Sequence, residues 1–175
     1  MTNPRILIAC VGNIFLGDDG FGTEVALRLA GRLLPPGVVL KDFGICGLDL
    51  TYALLEQWDL VILVDACARG GEPGTVYLIE PDQVETAAQG APAACVETHG
   101  MNPMSVLRAA KLMGGARSRI LLVGCEPADL GSDEEGKLGL SAPVEAAVDE
   151  AVSMIETLIS KALTGELTEA VLQLH

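Results

Sequence analysis

The chain has 175 residues, enough for one core-bearing domain and too few for two comfortable ones. Half of the residues are apolar and the mean hydropathy is +0.41, yet every long apolar stretch is broken by Gly, Pro or charge before the ~18 residues a membrane span needs. A formal net charge of −13 with no basic cluster repels a phosphate backbone, so neither nucleic acid nor a membrane is an expected partner.

Taken in chain order, apolar runs alternate with helix-period segments. Arg5–Val11 is expected as a strand, Phe21–Leu34 as a helix, Val38–Phe43 as a strand, Leu48–Leu55 as a helix and Leu60–Ala66 as a strand. A short strand over Thr75–Ile79, a helix over Ser105–Met113, a strand over Ile120–Gly124 and a helix over Pro143–Leu163 complete the series. Strands that are apolar throughout are those of a parallel sheet covered on both faces. The expected fold is therefore α/β: one doubly wound, mostly parallel twisted sheet of about five strands, with helices on both faces. The turn Gly70-Gly71-Glu72-Pro73-Gly74 is too short for a helical crossover, so Thr75–Ile79 should pair antiparallel at an edge.

Phe21, Val25, Leu29 and Leu33 repeat every four residues, as do Val144, Val148, Val152, Ile155 and Ile159 to within one position, and both stripes are expected in the core. Residues 1–163 make a single α/β domain, and 164–175 form a C-terminal tail that docks or frays. The first residues, Met1-Thr2-Asn3-Pro4-Arg5, lack the basic and hydrophobic layout of a secretory leader, so a cytoplasmic location is expected. Five cysteines, at 10, 46, 67, 95 and 125, form no C-x-x-C pair and are expected as reduced thiols.

The most informative segment follows the first strand. Gly12-Asn13-Ile14-Phe15-Leu16-Gly17-Asp18-Asp19-Gly20-Phe21-Gly22 is a glycine-rich turn carrying two adjacent carboxylates. Turns of this kind usually cradle phosphate, but Asp18 and Asp19 would repel one. The segment also lacks a P-loop ending and the spacing of a dinucleotide fingerprint, so it is read as presenting carboxylate to a cation or a polarised water. Asp18 is alternatively a helix cap.

In a doubly wound sheet, ligands sit beyond the carboxyl ends of the parallel strands. Asp19 follows the first strand, Asp65 ends the third, and His99 precedes the helix that starts near Asn102. Two carboxylates and an imidazole converging there would make a site for Zn, Ni, Co or Mn with positions left open for water or substrate. Each residue also has a plainer reading: Asp65 as the cap of a turn, His99 as a surface histidine.

Four segments in order resemble the hydrogenase maturation endopeptidases: Gly12-Asn13 through Gly22, Asp42-Phe43-Gly44-Ile45-Cys46-Gly47-Leu48, Val64-Asp65-Ala66, and Thr98-His99. The resemblance spans nearly the whole chain. It implies an endopeptidase that removes the C-terminal extension from the large-subunit precursor of a nickel–iron hydrogenase after nickel insertion. It places Asp19, Asp65 and His99 at the three metal-contacting positions, and Asp42 on a glycine-rich loop facing the substrate. Two features depart from the family pattern: Asp19 stands where some members have Glu, and Leu140-Ser141-Ala142-Pro143 carries one residue more before its proline.

On this reading nickel is carried by the precursor's thiolates, no organic cofactor is needed, and the enzyme works as a monomer on its precursor partner. There is no Gly-x-Ser-x-Gly elbow and no His-Glu-x-x-His helix. Two rivals stand beside the main reading. One is a cysteine peptidase pairing Cys67 or Cys95 with His99; the other is a nickel-sensing chaperone or adaptor that binds the precursor without cutting it.

Overall fold

The sheet forms where the sequence is continuously apolar. Strands β1 (Ile6–Cys10), β3 (Leu60–Ala66) and β5 (Arg119–Cys125) are buried along almost their whole length, and they occupy the middle of a five-stranded sheet of order β2-β1-β3-β5-β4. Edge strand β2 (Val38–Asp42) is more exposed. All of these pair in parallel, whereas β4 (Val76–Ile79) runs antiparallel to β5 at the other edge, as its short connection requires. These features come from a computed structural model, which describes residues 3–81, 103–115, 118–132 and 134–167.

Helices α1 (Phe21–Ala30) and α4 (Ala142–Thr164) cover one face, burying Phe21, Val25 and Leu29 with Val144, Val148, Val152, Ile155 and Ile159 against Ile6, Ile8, Ile62 and Val123. Helices α2 (Gly47–Leu55) and α3 (Pro103–Leu112) cover the other, where Leu50, Leu54, Val106 and Leu107 meet Leu7, Val61, Leu63 and Leu122. Side chains alternating along β1 and β3 thus feed two core layers. The close seating of α1 depends on Gly22, where a Cβ would lie 2.1 Å from the Val11 carbonyl oxygen and 2.6 Å from that of Val64. That seating brings the start of α1 against the ends of β1 and β3.

Leu33 departs from the expected stripe. Helix α1 stops at Ala30 with Gly31 as its C-terminal cap, and Leu33 is fully exposed. The pair Pro35-Pro36 disfavours helical backbone just before it, so the last expected turn does not form. Leu34 instead packs against the core. At the far end Gly165 ends α4 in the left-handed conformation. Leu167 then packs against the same core, and the Arg119 guanidinium donates to its carbonyl at 2.7 Å, so this stretch of the tail docks. Among the described residues no helix is long and apolar enough to cross a membrane.

Candidate active site

Strand order puts a topological switch between β1 and β3: the connection from β1 leaves toward β2 on one face, and the chain returns from β2 to β3 over the other. Crevices for ligands open at such points beyond the carboxyl ends of the strands. Register aligns Cys10 of β1 with Asp42 on one side and Val64 on the other. Asp42 and Val64 are therefore about 10 Å apart, two strand spacings, with Asp65 one residue further toward the edge.

Asp65 is a buried carboxylate. Burial first, and then the negative charge of Asp19, push its carboxyl well above the usual carboxylate range, partly opposed by the Ala66 N–H. Asp19, whose backbone lies against Gly12 just past the end of β1, is near enough for its charge to act on Asp65. Asp19 is itself half-buried, and its Oδ2 accepts the Asn13 N–H at 2.9 Å. Asp42 lies on the β2 side of β1. Its Oδ1 accepts the Gly44 N–H at 2.9 Å and the Thr23 hydroxyl at 3.4 Å, while Gly12 N–H donates to the Gly44 carbonyl at 2.9 Å. The turn after β1 and the loop after β2 thus form one rim.

His99 and Cys95 lie outside the described residues. Among those described, no group of three His, Cys, Asp or Glu is arranged to hold a metal ion. Of the expected site residues, Asp19 thus acts electrostatically on Asp65, and Asp42 stands on the adjacent loop.

The plainer reading of Asp18 fails. Its side chain makes no cap at the 3-10 turn Gly17–Gly20 or at α1. Fully buried, it accepts N–H groups of Ala128, Asp129 and Ser141 at 2.8, 2.8 and 2.6 Å, and the Ser141 hydroxyl at 2.9 Å. Glu126, which sequence reading passed over, has a similar task after β5. Burial alone would raise its carboxyl, but N–H groups of Arg69 and Gly70 and the Tyr77 hydroxyl outweigh burial and hold it below the usual range. It ties the loop after Asp65 to the sheet. The signal for it was a charged residue immediately after an apolar strand.

Cys10, Cys67 and Cys125 are not activated as nucleophiles. Burial, then the charge of Asp42, pushes the Cys10 thiol upward; burial, then Asp18, Glu126 and Glu150, pushes Cys125 up to about 12. Cys67 is fully buried, the setting of an inert structural cysteine rather than of a reactive thiolate. Cys10, Cys46 and Cys125 are free thiols.

Comparison with known proteins agrees with this architecture. The sequence model of one family, described as hydrogenase maturation protease, matches residues 23–158. The hydrogenase expression/formation protein HupD of Rhizobium leguminosarum bv. viciae is 36% identical over 151 residues, 85% of this chain and 71% of that one. A putative hydrogenase maturation protease of Methanocaldococcus jannaschii is 31% identical over 163 residues, 92% of this chain and 100% of its own length. Among solved structures, the hydrogenase maturating endopeptidase HybD from E. coli superposes with a TM-score of 0.72 at 28% identity, covering 90% of this chain and 93% of that one.

Proposed function

We infer that this chain, which belongs to the hydrogenase maturation protease family, is the peptidase that trims the C-terminal extension of a nickel–iron hydrogenase large-subunit precursor once nickel is in place. Nickel enters as part of the substrate, held by the precursor's thiolates. Asp19, Asp65 and His99 contact it, and Asp42 stands on the loop that faces the extended tail. One observation carries this reading: Asp65 is a buried carboxylate that lies within reach of the negative charge of Asp19. Two adjacent carboxylates repel in a poorly solvated crevice, and an arriving cation relieves the repulsion. Loaded precursor therefore binds better than empty precursor, which makes cleavage depend on completed metal insertion.

The carboxylates can also position and deprotonate the attacking water, so cutting follows docking in the same crevice. Peptide hydrolysis needs only that water and a protonated leaving amine, and the Gly44 turn lets backbone approach the scissile segment.

The test is to incubate the protein with nickel-loaded and with nickel-free large-subunit precursor and to weigh the products by mass spectrometry. Shortening of the loaded precursor alone is expected. Equal shortening of both would refute nickel recognition, and intact precursor recovered in a stable complex would indicate the chaperone reading instead.

A further inference from the structure

Two sequence features have no role in the chemistry above: the first aspartate of the Asp18-Asp19 pair, and the serine of Leu140-Ser141-Ala142-Pro143. They are 123 positions apart and in direct contact: Asp18 Oδ1 accepts the Ser141 N–H at 2.6 Å and Oδ2 accepts its hydroxyl at 2.9 Å. The same Oδ2 takes the N–H groups of Ala128 and Asp129. Around this carboxylate the chain closes a collar. Asp18 N–H donates to the Asp129 carbonyl at 2.9 Å, Gly17 N–H to the Lys137 carbonyl at 2.7 Å, and Lys137 N–H to the Phe15 carbonyl at 2.7 Å.

We propose that Asp18 and Ser141 are positioning residues for the peptidase reaction: their contact clamps the start of α4, with Ala128, Asp129 and Lys137, onto the Gly17–Gly20 turn, and so fixes the direction of Asp19. The geometry leaves little alternative. In a 3-10 turn consecutive side chains diverge by about 120°, so holding Asp18 inward turns Asp19 toward the crevice where Asp65 sits. The Ser141 hydroxyl is committed to this task. It stands at the N-cap position of α4 but makes no side-chain cap bond to the helix, donating to Asp18 instead. Residues at the start of the longest helix thereby hold a turn at the opposite end of the sequence.

The inference rests on the role assigned to Asp19, and the experiment separates the two. Initial rates of cleavage of nickel-loaded precursor are measured for Ser141→Ala, Ser141→Thr and Asp19→Asn, at a temperature where circular dichroism shows each variant fully folded. Ser141→Ala is expected to lower kcat between about 10- and 100-fold, the scale of a small misplacement of a reacting group, with KM unchanged. Ser141→Thr, which keeps the hydroxyl, is expected to restore kcat. A merely structural role would lower the melting temperature of Ser141→Ala and leave the kcat of the folded enzyme intact, which would overturn the proposal. So would a change in KM alone, or a threonine variant as slow as the alanine one. If Asp19→Asn cleaves at the wild-type rate, the role of Asp19 itself is wrong and the clamp falls with it. If Asp19→Asn is inactive while Ser141→Ala is fully active, only the clamp is refuted.

Discussion

Adjacent aspartates in one short turn should respond oppositely to the same change. Asp18 receives four donors, three on Oδ2 and one on Oδ1, and is fully buried. Asparagine offers one oxygen. Placed toward the three donors, it leaves an amide NH2 facing the Ser141 N–H, so one bond is lost, a buried donor has no acceptor, and the remaining bonds lose charge assistance. An unsatisfied buried donor costs about 1–3 kcal/mol, and a bond to a charged group is roughly 1 kcal/mol stronger than a neutral one. After allowance for the charge no longer buried, Asp18→Asn should cost about 3 kcal/mol, or about 6–12 °C in Tm for a chain of this size. Asp19 accepts the Asn13 N–H through Oδ2, which an amide oxygen can replace, and its charge raises Asp65. Asp19→Asn should therefore melt at or slightly above the wild type. The assay is thermal circular dichroism at neutral pH in a buffer containing chelator. An Asp18→Asn variant within ~2 °C of wild type, or an Asp19→Asn variant that falls equally far, would refute this division.

Three further outcomes follow from the same geometry. Gly22→Ala puts a Cβ 2.1 Å from the Val11 carbonyl oxygen, which forces α1 off the sheet; denaturant unfolding should show a loss of more than about 2 kcal/mol. Gly44 has φ of +53° with its nearest neighbour, the Gly12 carbonyl oxygen, 4.0 Å from an added Cβ. Gly44→Val should therefore cost only the left-handed backbone penalty of about 1–2 kcal/mol, yet weaken binding of nickel-free as well as nickel-loaded precursor in a pull-down titration. Glu126 is held below its ordinary range, so its carboxylate stabilises the fold above its unfolded value of about 4.3, and that contribution is lost as pH falls through the lower folded value. A melting series from neutral pH into this acid window should show the loss in wild type, and a Glu126→Gln variant should show a shallower decline from a lower starting point.

By itself the sequence determined whatever depends on neighbours close in the chain. Continuous apolar runs marked β1, β3 and β5 as interior parallel strands, because a strand covered on both faces has no polar side to show. The short Gly70–Gly74 connection made β4 antiparallel. Asp42 and Gly44, two residues apart, form a local side-chain-to-backbone turn, and the residue after each parallel strand marked where chemistry could gather. The tertiary structure decided what depends on residues far apart. Leu33 continues a perfect stripe and is still exposed, since the helix ends before reaching it. Asp18 and Asp19 are alike as residues and adjacent; one is buried among N–H groups from 110 to 123 positions away, the other accepts the Asn13 N–H and lends its charge to a buried carboxyl on β3. Periodicity reports which face of an element is apolar, but the partner of a buried charge is chosen by whichever distant backbone groups the fold delivers to it, because a carboxylate removed from water persists only where such donors replace its hydration.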